Sequence, residues 1–313
     1  MSQTEQSFGR IVNLKVFATI IGSSGGQPTI SYSGGYTLFS SQKKDGSPGF
    51  RIRGKVNKIE AAVSVIPNPI QIAIYNLGPN SRALVESRVG TKIIVEAGYG
   101  NNPKQLFFGN ILWARTHKEG ADYITEIQAG DGSFAVTNGQ INQSFSGATT
   151  YTQVIDACIN ALDQVGITKG IVTGVPEGGY NNGIVLSGSP LDLLKQTCEK
   201  LNLNCSIQNG QVMILPRGQD KGSAPMLVSP ANGLIGIPQV RTQGLIGPAT
   251  SVNQTTPTNI ISFKVLLRPE IEMYQLVTVQ SKFINGNYIV ARATHDFDSW
   301  EGPFYTECEC ASA

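Results

Sequence analysis

One phrase occurs twice in this chain. The segment Gly109–His117 reads GNILWARTH, and the segment Gly286–His295 reads GNYIVARATH. Gly109/Gly286, Asn110/Asn287, Ala114/Ala291 and Arg115/Arg292 recur at one constant offset. After a connection slightly longer in the second copy, the register resumes as Tyr123/Phe304, Thr125/Thr306 and Glu126/Glu307. His117 and His295, the two histidines of the chain, fall within one residue of the matching point. Upstream, KIIVEAGYG (Lys92–Gly100) parallels LVTVQSKF (Leu276–Phe283), and IQIAIYNLGPNSRAL (Ile70–Leu84) has a weaker partner in ISFKVLLRPEIE (Ile261–Glu272). Self-similarity over about four consecutive elements is the mark of a duplicated supersecondary unit. Period-two alternation in ITEIQA and YTECEC, with turn chemistry at Lys118–Asp122 and Asp296–Pro303, predicts a β-hairpin in each copy.

A different pattern separates the copies. TYTQVIDACINALDQVG carries apolar residues at helical spacing, with Thr150 and Gln153 placed as a capping box and Gly166 as a stop. A second helix is signalled by Ser189 as cap and Pro190 at the first position, with Leu191, Leu194, Cys198 and Leu201 on one face. Asn209-Gly210 between Cys205-Ser-Ile-Gln and QVMIL predicts a tight hairpin. The chain therefore divides into a strand-rich block over 1–132, a small α/β module over 133–222 and a second strand-rich block over 223–313. The expected class is α+β, mainly β.

Composition narrows the function classes. With 15% charged residues and a net charge of +2, there is no general electrostatic case for nucleic acid, membrane or polyanion binding. No apolar run approaches the roughly 20 residues needed to span a bilayer, and the start MSQTEQSFGR lacks the features of a signal peptide. Expression as a soluble cytoplasmic protein is the expectation. Five cysteines, an odd number, do not form a disulfide framework and lack zinc-site spacing, so buried thiols are expected at Cys158, Cys198, Cys205, Cys308 and Cys310.

The order of these phrases resembles the baseplate hub proteins of contractile-tailed bacteriophages (the late control protein D-like family) and the first part of type VI secretion spike proteins. The residues that carry it are IAIYNLGPNSRALV (Ile72–Val85), GTKIIVEAGYG, FFGNI, SPLDLLKQTCEKLNLNCSIQNGQVMILP, GLIGIP (Gly233–Pro238), VLLRPEIE, INGNYIVARATHDFD and FYTECEC. The chain departs from the pattern at a polar stretch from Gln239 to Asn259, with a second GLIG at Gly244–Gly247, and at EIEMYQL after Pro269. The resemblance implies two similar tail-tube-like β-barrels flanking the α/β module. It also implies a homotrimer whose duplicated barrels form a pseudo-six-fold ring. Such a ring matches a hexameric tail tube on one side and a trimeric spike on the other, as closed rings demand repeated equivalent interfaces. The implied partners are the tail tube protein, the central spike protein, the tape-measure protein and other baseplate proteins. DNA passes only transiently through the lumen, and there is no membrane insertion. The implied location is the virion tail, assembled in the host cytoplasm.

No catalytic residue, cofactor or metal site is expected. His117 and His295 have the residue type of a base or ligand, but each stands alone at a strand end in a duplicated frame. Glu126 and Glu307 suggest a carboxylate pair for glycoside cleavage, which must flank one bond within about 5–10 Å. Equivalent places in separate barrels would not converge, so solvent-facing strand positions are expected. Gly22–Gln27 and Gly174–Gly183 lack the strand-loop-helix context of a phosphate cradle and read as turns. Arg51, Arg53 and Lys55 share one strand face near Lys43 and Lys44. That patch lines a DNA channel, meets acidic residues of a neighbouring subunit, or is a solvated face. The loop Gly22–Gly34 and the 239–259 segment are expected to order on assembly. Outside the hub reading stand a β-rich carbohydrate-binding or cell-surface module and a hydrolase using His117, His295, Glu126 or Glu307.

Overall fold

Alternating apolar and polar side chains over most of the chain produce strands, and helices arise only where that period breaks. The computed structural model describes residues 9–24, 27–59, 68–88, 90–100, 102–243 and 258–313. The first block contributes β1 (Arg10–Ser24), β2 (Gln27–Ser40), β3 (Ile52–Lys58), β4 (Ile70–Tyr75), β5 (Lys92–Tyr99), β6 (Lys104–Glu119) and β7 (Asp122–Gly130). Helix α1 (Pro79–Glu86) interrupts them where only strands were expected. Its start is set by Pro79 in the first turn, where a missing N–H costs nothing, and Val85 anchors it in the core.

Past β7 the chain forms α2 (Ser133–Asn138), β8 (Ile141–Phe145), β9 (Thr149–Thr150) and α3 (Tyr151–Asp163). It continues through β10 (Thr168–Val172), β11 (Gly179–Tyr180), β12 (Ile184–Gly188), α4 (Pro190–Lys200), β13 (Leu203–Gln208) and β14 (Gln211–Pro216). The expected caps are present. Thr150 Oγ1 accepts from the Gln153 N–H and the Gln153 side chain accepts from the Thr150 N–H. Ser189 accepts from Asp192, and Pro190 opens α4. Val154, Ile155, Cys158 and Leu162 of α3 pack with Leu191, Leu194 and Cys198 of α4 in a core of their own.

The last block holds β15 (Met226–Val228), β16 (Leu234–Gln243), β17 (Thr258–Leu266), β18 (Leu276–Gln280), β19 (Asn285–Asp298) and β20 (Phe304–Ser312). The fold is mainly β. In place of two closed barrels, the described residues form one 13-stranded sheet in the order β16-β17-β20-β19-β3-β4-β7-β6-β5-β1-β2, with β18 on β19 and β15 on β18. The barrel expectation assumed that each repeat closes on itself. Instead β19 spends its second half pairing with β3 of the first block. The first block's core accordingly reaches across the seam, with Leu267, Phe297 and Phe304 packed among Val56, Ile72 and Phe107, while the second block keeps a core of its own around Val265, Val277 and Val290.

Candidate assembly interface

The hydrogen-bond register shows how the repeat is built. Ile70 lies opposite Ala129 as Ile261 lies opposite Cys310, and Tyr75 opposite Ile124 as Leu266 opposite Tyr305. β4 and β17 therefore match residue for residue, and so do β5 and β18 from Lys92/Leu276 onward. The β6–β7 and β19–β20 hairpins each carry a bulge, at Leu112 and at Ala291. Glu126 faces Arg115, whereas Glu307 faces Thr294. The GN-A-R phrase is thus displaced by two residues from structural equivalence: Arg115 corresponds to Thr294, and Trp113 to Arg292. An even shift leaves every side chain on its original face. It also explains the histidines. His295 occupies the place of Thr116 and points into the core. His117 is one residue on and faces the opposite side. Thr116 Oγ1 lies 3.0 Å from Thr125 Oγ1, and His295 Nδ1 lies 2.9 Å from Thr306 Oγ1.

Where the two copies meet, β19 and β3 form an antiparallel seam from Ala293↔Lys58 to Asp298↔Arg53. Its core side pairs His295 with Val56 and Phe297 with Gly54; its outer side pairs Thr294 with Asn57 and Asp296 with Lys55. Arg51 clamps the Asp298 carboxylate at 2.6 and 3.2 Å, and Thr294 donates to Asn57 at 3.1 Å. Around the seam the outer face carries both signs, with Arg51, Arg53, Lys55, Arg115, Lys264 and Arg292 interspersed with Glu126, Asp296, Asp298, Glu307 and Glu309. It is electrically mixed, and around the seam it sinks into a cleft of about 500 Å³ between Arg53, Trp113, Glu126 and Asp296.

The α/β module is held by the tip of its β13–β14 hairpin. Asn209 and Gly210 take left-handed backbone at φ 54° and 76°, as an Asn-Gly turn requires. The tip enters a buried socket built by both strand blocks. Gly210 N–H donates to Asp131 Oδ1 at 2.8 Å, Asn68 Nδ2 donates to Ile207 O at 2.8 Å, and Asn209 Nδ2 donates to Glu272 Oε1 at 2.7 Å. Lys221 pairs with Glu272 at 2.7 Å. Lys58 is fully buried beneath, 3.9 Å from Glu272, a Coulombic contact rather than a hydrogen bond. Burial pushes the Asp131 carboxyl up to about 6 against its hydrogen bonds from Gly210 and Asn68. Burial would also raise Glu272, but Lys58 and Lys221 outweigh it and hold that carboxyl below its ordinary value. A Cβ on Gly210 would stand 2.6 Å from the Phe108 ring. The Asn-Gly signal located this hairpin in the sequence, but nothing local announced that it plugs into both neighbours.

His295 is fully buried, and burial followed by the Lys58 charge holds its pKa well below 6.5. A depressed folded value means stability lost as pH falls through the unfolded value near 6.5. His295→Gln is therefore expected to gain on the wild type below pH 6.5, by up to about 1.4 kcal/mol per pH unit. Urea midpoints measured at pH 7, 6 and 5 check this, and a constant difference counts against it. His117 is partly exposed, across β6 from this core. Glu126 pairs with Arg115 at 2.7 Å on the outer face, and Glu307 is exposed on the same face. They lie on one sheet rather than in separate barrels, four strands apart, roughly 19 Å at the usual strand spacing.

All five cysteines are buried. Gly174, Gly178 and Gly183 are turn positions with positive φ, and Gly179–Tyr180 pairs with Thr149–Thr150. Among the basic residues near β3, Arg51 is tied to Asp298, while Arg53, Lys55, Lys43 and Lys44 are exposed. Gly25–Gly26, the second GLIG and most of the 239–259 stretch lie outside the described residues.

No family model and no curated protein matches the chain. Solved structures do. A 43 kDa tail protein of prophage MuSo2 from Shewanella oneidensis is 12% identical, with a TM-score of 0.59 and 96% of each chain covered. A tail protein from Neisseria meningitidis is 11% identical, with a TM-score of 0.60 and 97% of each chain covered. An Escherichia coli component of the type VI secretion system, described as similar to bacteriophage T4 tail proteins, is 7% identical. It has a TM-score of 0.53 over 84% of this chain and 73% of its own. At these identities the likeness is one of fold: the chain has the fold of phage tail and type VI spike-related proteins.

Proposed function

We propose that this chain, which folds as phage tail proteins do, is a structural component of a tail baseplate with no chemistry of its own. In this reading three copies close into a ring. Their six repeated, tube-like units seat on a hexameric tail tube, while the three-fold axis seats a trimeric spike. Residues 1–132 and 223–313 supply the units, and 133–222 is a buttress plugged into both. The tape-measure protein and DNA pass along the axis, in a particle assembled in the host cytoplasm.

The observation that carries the reading is the β19–β3 seam. Two copies of one unit are joined edge to edge by main-chain pairing, and a head-to-tail contact of this kind generates a ring whenever its rotation closes. The mixed charge of the outer face suits a wall that a polyanion must pass without adhering. The carbohydrate-binding alternative needs an open aromatic platform in the cleft, and there the Trp113 ring is overlaid by the Arg115 guanidinium at 5.4 Å.

Light scattering after size exclusion tests the reading. The expected mass is about three times the 33.5 kDa chain, with rings of six lobes in unsymmetrised electron micrographs. A 33.5 kDa monomer that stays monomeric when mixed with tube and spike proteins overturns it.

A further inference from the structure

Among the described residues, the seam inside the chain leaves two matching edges unused. In the second copy, β18 covers the first half of β19 and β3 covers the second half, Ala293–Asp298. In the first copy, β5 covers β6 as far as Asn110. Among the described residues, no strand lies on the same edge over Trp113–Glu119, the equivalent of Arg292–Asp298. At the other end of the sheet, β16 corresponds to β3. Ile52 and Leu234 both pair at equivalent places, opposite Ile74 and Val265, and Val56 and Val240 do so opposite Ile70 and Ile261. Among the described residues, β16 has no partner beyond β17.

Burial differs in the way a missing partner would make it differ. Ala293, His295 and Phe297 are fully buried in the seam, but their counterparts Ala114 and Thr116 are half-buried and Lys118 is exposed. Val56 is fully buried, while Val240 is 55% exposed. Ile235 and Ile237 are also exposed on β16, and an open apolar edge strand is a template for pairing with another chain. Beside the free half of β6 lies a groove walled by Pro79, Arg82 and Glu86 of α1.

We propose that β16 of a second copy of this chain adds to the free half of β6, repeating between chains the contact that β3 makes with β19 within one. The proposal rests on the ring reading and specifies its joint. Transferring the seam register sets Arg115 opposite Arg241, Thr116 opposite Val240 and His117 opposite Gln239. The Arg115 charge is already matched by Glu126. Two extra residues of β16, within Gly236–Pro238, fall where β3 has Gly54, and their even number preserves the faces on both sides.

The test is disulfide formation between chains. Directly opposed antiparallel positions bring Cα atoms to about 4.5–5.5 Å, inside the range an S–S bond spans, and the native cysteines are buried. His117→Cys and Gln239→Cys chains, mixed and oxidised, are expected to give a covalent dimer at least ten times the yield of either alone. His117→Cys with Arg241→Cys, two residues out of register, is the negative control. Lys55→Cys with Asp296→Cys in one chain is the positive control, since it samples the same position of the internal seam. Val240→Asp, on an exposed side chain, is expected to weaken assembly at least tenfold with unchanged monomer circular dichroism. A trimeric mass without the in-register crosslink, or with equal crosslinking in both pairs, overturns the joint and leaves the ring. No assembly at all, even with tube and spike present, overturns both.

Discussion

Asp131→Ala is expected to lower the unfolding free energy by about 3 kcal/mol at pH 7. The carboxylate is 1% exposed and stands where all three parts of the chain meet. Removing it leaves the Gly210 N–H without its acceptor and strips Lys58, itself fully buried, of one of two acidic neighbours. Breaking a buried charge cluster from one side costs far more than the cluster contributes as a whole, because the remaining charge stays desolvated. The loss should be visible by denaturation and, locally, as faster hydrogen exchange over Ile207–Val212. Glu126→Ala removes an exposed ion pair and is expected to cost under about 1 kcal/mol. Equal losses in the two variants would refute the joint as the sensitive point. The carboxyl also has a pH signature. Its folded pKa of about 6 exceeds the ordinary 3.8, so the proton-linked part of its contribution is complete below about pH 4 and is lost as pH rises through 6, leaving the hydrogen bond from Gly210 and the pairing with Lys58 at pH 7. The wild type should therefore gain on Asp131→Asn as pH falls from 7 to 4. At about 1.4 kcal/mol per unit over a difference of 6 − 3.8, the gain is about 3 kcal/mol at most.

Gly54→Val is expected to cost about 3 kcal/mol and to loosen the union of the two blocks. Gly54 is paired on one side with Ile72 and on the other with Phe297. A Cβ there would stand 2.5 Å from the Gln71 carbonyl oxygen and 2.7 Å from Phe297 Cζ. Neither can retreat, because the carbonyl belongs to a central strand and Phe297 is fully buried in the shared core. Gly35→Ala, where a Cβ meets nothing within 4 Å, is the neutral control. Thermal unfolding with one transition in the wild type and a split or early transition in Gly54→Val is the expected result. A variant within 0.5 kcal/mol of the wild type, on the scale of a surface substitution, would mean that the seam bears no weight.

Much of this was legible in the residues. Thr150/Gln153 and Ser189-Pro190 named their helices because a cap satisfies backbone donors within its own turn. Asn209-Gly210 named its hairpin because few residues adopt its dihedrals. The pairing of Ile70 with Ile261 and of Lys92 with Leu276 across the repeat was also correct, since apolar alternation must agree in strands that fill equivalent places. The Arg115/Arg292 match misled by two residues. Identity of letters follows descent, whereas register follows hydrogen bonds, and an even slip leaves burial unchanged. Helix α1 was hidden by Gly-Pro-Asn-Ser, which reads as a turn until Val85 finds a core to enter.

The sequence by itself determined the duplication, the two capped helices, the tight hairpin and the mainly-β class, all of which rest on interactions within a few residues or on periodicity. Only the tertiary structure decided that the copies share one sheet, that the hairpin tip plugs a charged socket, and which edges stay open. Those outcomes depend on pairing between residues such as Val56 and His295, far apart in the chain, and main-chain pairing has no side-chain signature from which it can be read.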